Sequence, residues 1–294
     1  MLVILGLFVV FGATAFGYYE EGGAFGVLFQ PAELIIIGGA AIGSLICSTP
    51  AAVLKNTAAQ LKGVMSSGTS AADYKDLLAM LYQLFKQVQQ QGVMSLESHF
   101  DDPKQSSILS KYPKFMARHD AVDFLADSVK VVMVGGIAPH DLESLMEEDL
   151  RVHHDDALKP AAALNRIGDA LPGLGIVAAV LGVVITMGHI DGPPAEIGER
   201  VGAALVGTFL GILLSYGMAQ PVAGALESRV NDDMYYCLCI KAGLLAVYKG
   251  NPPAIAVEFA RRVLPHNVRP SFNDTEKLCK AATSPSASQH ARAA

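Results

Sequence analysis

Charge is absent from four long stretches of the chain, which alternate with regions rich in it. Met1–Tyr19 runs nineteen residues without a charge, Leu34–Leu54 twenty-one, Ala170–Ile190 twenty-one and Val201–Leu226 twenty-six. A helix needs roughly 20 mostly apolar residues to span a bilayer. The pattern therefore predicts four transmembrane helices, at about 2–19, 34–51, 171–189 and 201–220. Region 51–169 changes to the spacing of water-soluble helices. Leu77, Leu78, Leu81, Leu84, Phe85 and Val88 recur at i, i+3, i+4 intervals, with Lys75, Asp76 and Gln83 between them. Val122, Leu125, Val129 and Val132 make a second stripe, and Leu142, Leu145, Met146 and Leu150 a third. Pro103 and Pro113 punctuate the region.

The expected fold is all-α: a polytopic membrane protein with four transmembrane helices and a helical cytoplasmic domain. The expected segments are 1–54 (transmembrane helices 1 and 2), 55–169 (cytoplasmic helical domain), 170–226 (helices 3 and 4), 227–282 (a C-terminal helical region) and 283–294 (a disordered polar tail). Composition agrees with a membrane chain. Hydrophobic residues make up 51% and charged residues 17%, and the mean hydropathy is +0.36. Soluble domains carry about 25% charged residues. The net charge of −6 argues against nucleic acid as a partner. Four Cys in 294 residues are too few for a disulfide scaffold.

Positive charge sets the orientation. Of the 22 Lys and Arg, twelve lie in 51–169 and nine in 222–294, with Arg200 alone between. Lys55, Lys62, Arg166 and Arg229 flank the membrane on that side, so both regions and both termini are expected in the cytoplasm. Ala13-Thr14-Ala15 fits a signal-cleavage site, but no basic stretch precedes it and apolar residues continue past it. The segment is therefore expected to remain as a membrane helix.

The candidate chemistry is sparse. Gly173-Leu174-Gly175-Ile176-Val177-Ala178 matches G-x-G-x-x-A, but it lies inside an apolar run with no strand before it. Close helix packing is the better reading, as it is for the Gly39/Gly43 and Gly207/Gly211 pairs. His153-His154-Asp155-Asp156 fits a solvated helix face better than a metal site, since neighbouring helical residues point different ways. Cys237 and Cys239 read as packing residues. Glu33 stands at the outer end of helix 2, where solvation is expected. The helix interiors hold no Asp, Lys or Arg, so a titrating carboxylate for ion transport is expected from a partner. Thr208 either bonds back to a carbonyl one turn earlier or lines a polar path. Pro172 and Pro221 fall at similar depth near the cytoplasmic boundary, as helix ends or as hinges.

The stretch from Ala204 to Leu213 (ALVGTFLGIL), followed after seven residues by Pro221, resembles the MotA family of flagellar motor stator subunits. Gln30-Pro31-Ala32-Glu33, Leu171-Pro172 with Gly175 to Ala179, Pro252 to Phe259 and Arg269-Pro270-Ser271-Phe272 fit the same family, over residues 1 to about 280. The resemblance implies a non-enzymatic subunit of the bacterial inner membrane. It implies a homo-oligomer, a pentamer around a MotB dimer in the lipid bilayer, driving the rotor protein FliG. It implies no cofactor, only a coupling ion. Thr208 matches a family Thr near the ion path. Ala179 matches a position where sodium-driven relatives tend to carry Thr, which favours the proton. Pro172 and Pro221 match two prolines linked to coupling. Glu97 matches a rotor-facing Glu. Its companion Arg aligns on Gln89, a departure, with Lys86 one turn earlier as the expected substitute. The alternative is an ExbB/TolQ-like energy-transducing subunit, a class that typically has three membrane helices. A membrane-embedded enzyme would need buried catalytic groups, and a plain scaffold would conduct nothing.

Overall fold

The computed structural model describes residues 2–64 and 68–283. The tail expected to be disordered lies outside the described residues beyond Thr283. In chain order the helices are α1 (Leu2–Glu20), α2 (Phe25–Leu28), α3 (Pro31–Ser48), α4 (Ala51–Val64), α5 (Ala71–Gln91), α6 (Glu97–Asp101), α7 (Pro113–Met116), α8 (His119–Val134), α9 (Pro139–Met187), α10 (Pro194–Leu214), α11 (Gln220–Tyr248), α12 (Pro253–Arg262) and α13 (Phe272–Thr283). A π-turn, Ser215–Ala219, joins α10 to α11. There is no strand among the described residues. Four helical segments are long and apolar enough to cross a membrane, and they carry the four predicted spans.

Helix boundaries depart from expectation where proline acts. The second membrane helix begins at Pro31 rather than 34, because proline fits the first helical turn, where its missing N–H costs nothing. It stops at Ser48 rather than 51. Pro50 forces Thr49 into an extended conformation (φ −134°, ψ 128°), which ends the helix. The third is no separate helix starting at 171. It is the end of the continuous α9, which carries Pro160 and Pro172 inside it. The fourth begins at Pro194, so Glu196, Glu199 and Arg200 are helical rather than part of a link.

The chain divides into two compact units. One holds residues 1–67 and 157–229. Its interior is thin: Ile37, Ala41, Leu171, Ala178 and Ala219 form one cluster. Leu5, Phe8, Ile35, Ile42, Val184, Ile185 and Leu205 are large, apolar and exposed. A surface that apolar suits lipid or another apolar chain, not water.

The other unit holds residues 68–156 and 230–294 and has an ordinary hydrophobic core. A Ser70–Asp73 capping box starts α5, and Gly92, at φ 81°, ends it. The expected stripe of α5 is buried from Leu77 to Phe85, and α12 and α13 pack on this helix. The α8 stripe is buried as expected. The third stripe needs one correction: Leu142, Met146 and Leu150 are buried, but Leu145 is 46% exposed. At i+3 from Leu142 it falls on the edge of the helical face. Cys237 and Cys239 are buried in this core.

Candidate ion-path site

Helices α9 and α10 meet at glycines. A Cβ on Gly175 would lie 2.7 Å from Gly207 O, and one on Gly211 would lie 2.6 Å from Leu171 O. A Cβ on Gly182 would lie 2.7 Å from the Ala204 Cβ. Only hydrogen fits at these points, so backbone meets backbone. Of the two small-residue pairs read as packing motifs, Gly207/Gly211 makes such a contact. Gly39 and Gly43 meet nothing within 4 Å in this chain.

Glu33 closes the crossing from α3. It lies in the first turn of α3 and is 8% exposed. Its Oε2 has no hydrogen-bond partner. A Cβ on Gly207 would come within 2.6 Å of that oxygen, and one on Gly182 within 3.4 Å of Oε1. The expectation of a solvated Glu33 is therefore overturned. Helix α3 starts early enough to carry the side chain inward, against α9 and α10. Pro31 is the signal that pointed there, since a helix starting at Pro31 puts position 33 inside it.

The sequence-predicted residues fall around this point. Ala179 is 8% exposed, and its backbone N would lie 3.1 Å from a Cβ on Gly207. Thr208 follows Gly207 and is half-buried. Thr186 in α9 bonds back to Gly182 O at 2.8 Å, whereas the Thr208 hydroxyl makes no such bond among the described residues. Ala179, Thr208 and Glu33 thus gather at one level of the crossing.

Pro172 and Pro221 both lie within continuous helix, each beside a partner segment. Gly168 O accepts a hydrogen bond from the Ser215 hydroxyl at 2.6 Å, and Gln220 Nε2 donates to Asp169 Oδ1 at 3.1 Å. Ser215 drew no attention in the sequence, where a serine in an apolar helix looks incidental.

In the second unit, Lys86 lines a polar cleft of about 510 Å³ with Gln83, Gln87, Ser98 and His99. Glu97 and Gln89 are exposed outside it. Lys86 and Glu97 form no ion pair among the described residues. His99, which the sequence also left unremarked, is buried between Ser106 Oγ (2.7 Å) and Gln87 Oε1 (2.9 Å). Arg151 engages Asp155 and Glu148, and no group of three or more His, Cys, Asp or Glu side chains could hold a metal among the described residues.

Comparison with known proteins places this architecture. The motility protein A N-terminal family matches residues 4–92, and the MotA/TolQ/ExbB proton channel family matches residues 117–237. Motility protein A of Escherichia coli strain K12 is 41% identical over 286 residues, 97% of each chain. Motility protein A of Salmonella typhimurium is 40% identical, covering 98% of each. The fold matches the structure of Campylobacter jejuni MotAB ("C. jejuni MotAB") with a TM-score of 0.75 at 19% identity, over 90% of this chain and 96% of that one. It matches the flagellar MotAB stator complex from Bacillus subtilis with a TM-score of 0.72 at 21% identity, over the same shares. The matches run through both units and all four membrane segments: this multi-pass membrane chain belongs to the motility protein A family, a family of motor and channel subunits rather than enzymes.

Proposed function

We propose that the chain is the flagellar stator subunit that works with a MotB partner to turn inward proton flow into torque on the rotor protein FliG. Several copies, a pentamer around a MotB dimer, form the working ring in the bacterial inner membrane. Both termini lie in the cytoplasm. The observation that carries the reading is the crossing of α9 and α10. It is lined by backbone and methyl groups, with one buried carboxylate, Glu33, against Gly207. Ala179 carries a methyl, which offers no oxygen ligand to a sodium ion. A proton needs only a carboxylate and water. A membrane Asp on MotB supplies the main ion-binding group, with Glu33 as this chain's own carboxylate near the path and Thr208 as a hydroxyl beside it. Pro172 and Pro221 pass the movement toward the cytoplasmic unit, where Lys86, Glu97 and Gln89 are the rotor-facing positions. An exposed ion pair is worth about 0–1 kcal/mol, so several such contacts share the load.

The test is deletion with complementation. Deletion should abolish swimming and leave filaments assembled; loss of filaments overturns the stator reading. Motility should collapse with a protonophore and persist without sodium; sodium dependence overturns the choice of ion. The ExbB/TolQ-like alternative is disfavoured by the N-terminal family match over 4–92, which covers the first pair of membrane helices.

A further inference from the structure

Pro172 has no N–H, so the carbonyl four residues earlier, Gly168 O, loses its helical donor. The Ser215 hydroxyl replaces that donor from across the helix pair, at 2.6 Å, and Ser215 is 0% exposed. A helical serine ordinarily bonds its own i−4 carbonyl. Here the hydroxyl turns instead to the carbonyl that Pro172 leaves without a donor.

Ser215 also opens the π-turn 215–219, which the Gln220 N–H closes by bonding five residues back to Ser215 O. Pro221 follows at once. A proline ring clashes with the carbonyl four residues before it, and a wide turn there gives it room. The helical defect made by each proline therefore ends on one residue. The hydroxyl of Ser215 closes the gap in α9, and its carbonyl anchors the turn ahead of Pro221. Gly168 itself packs close to this segment, since a Cβ there would lie 2.8 Å from Gln220 Cγ.

We infer that Ser215 is a positioning residue that ties the Pro172 defect of α9 to the π-turn before Pro221, so that the two helices shift together during torque generation. This rests on the stator reading above. Without the hydroxyl, a buried carbonyl is left without a donor.

Two measurements test it. In a strain lacking its own copy, single-motor speed is followed as stator units join one by one. Step height reports torque per unit, and step number reports assembly. Ser215→Ala should lower step height at an unchanged step number, and Ser215→Cys, a weaker donor of similar size, should fall between it and the wild type. Wild-type step height in Ser215→Ala overturns the inference, as does loss of both variants from the membrane. Failure of the unmutated chain to produce any steps overturns the stator reading instead. The second measurement is the melting temperature of purified protein. Pro172→Ala restores the N–H that Gly168 O needs, so Ser215→Ala should lower the melting temperature less in that background than in the wild type. An equal drop in both backgrounds overturns the inference.

Discussion

Glu33 and Gly207 leave no room for a side chain between them: a Cβ on Gly207 would stand 2.6 Å from Glu33 Oε2. That oxygen is buried without a partner. Burial of a polar group without a hydrogen bond is costly, and ionisable groups inside membrane segments usually serve an ion or proton path. The glycine and the carboxylate therefore form one local arrangement, with Ala179 on its α9 side.

Gly207→Ala should break it. The added carbon would also meet Ala179 N at 3.1 Å and Ala178 Cβ at 3.2 Å, and backbone cannot swing aside as a flexible chain end can. Overpacking of this kind costs about 1–3 kcal/mol. The expected result is a lower melting temperature in detergent and impaired swimming. Gly39→Ala is the control, because nothing lies within 4 Å of that position in this chain. An equal loss from Gly39→Ala would mean that a second chain covers that face.

Glu33→Gln keeps the shape and removes the titrating oxygen. With the fold preserved, the variant should reach wild-type abundance in the membrane while swimming speed falls to well under half. Glu33→Asp, one methylene shorter, should retain part of the speed. Full speed in Glu33→Gln would show that the carboxylate only fills space. Membrane fractionation beside swimming-speed measurement separates these outcomes.

The four spans and the soluble stripes could be read from residue order because both follow from local periodicity. Leu77, Leu81 and Leu84 point one way on any helix, whatever they pack against. The continuity of α9 through Pro172 could not. A proline ends or kinks most helices, and here a hydroxyl from another segment meets the carbonyl that it leaves without a donor. That donor, Ser215, is forty-seven residues away in sequence. Glu33 was half-legible: Pro31 marks a helix start, but the depth of the side chain depends on the small residues of α9 and α10 facing it. Thr208 stood out as a hydroxyl within an apolar run and Ala179 came from the motif alone, and it takes the fold to set them at the same level.

Glu258 should make the second unit acid-sensitive. It pairs with Arg261 at 2.7 Å and with Arg262 at 2.7 Å, and its side chain is 17% exposed. The hydrogen bond from Arg261 is the largest influence holding its carboxyl down at about 2, with burial opposing. The unfolded chain takes up its proton near 4.5. The stabilisation is thus complete above that value and is lost as pH falls from 4.5 through 2. Glu258→Gln should cost about 1.5–3 kcal/mol at neutral pH, the range of hydrogen bonds to charged groups. The difference from wild type should close on acidification. Denaturant titrations at several pH values check it; a pH-independent difference would mean that packing, not charge, is what the substitution removes.

His99 titrates with the opposite chemistry and the same direction of effect. Burial holds its imidazole below the usual range of 6.5. Ser106 Oγ accepts the N–H groups of Ile108 and Leu109 at 3.3 and 3.0 Å, which leaves its hydroxyl proton for His99 Nδ1. His99 Nε2–H then donates to Gln87 Oε1, and Gln87 Nε2 donates to Ser95 O at 2.9 Å. This directional chain assigns the neutral Nε2–H tautomer. A second ring proton would point at Ser106 and force its hydroxyl to turn away. Below 6.5 the unfolded chain binds a proton that the fold resists, so stability falls as pH drops from 6.5 toward the lowered folded value and is flat above 6.5. His99→Gln keeps a donor toward Gln87 and cannot titrate. It should cost about 1 kcal/mol near neutral pH. It should also flatten the fall in melting temperature that the wild type shows as pH drops below 6.5. Equal slopes in the variant and the wild type would mean that the carboxylates of the unit, not His99, set its acid response.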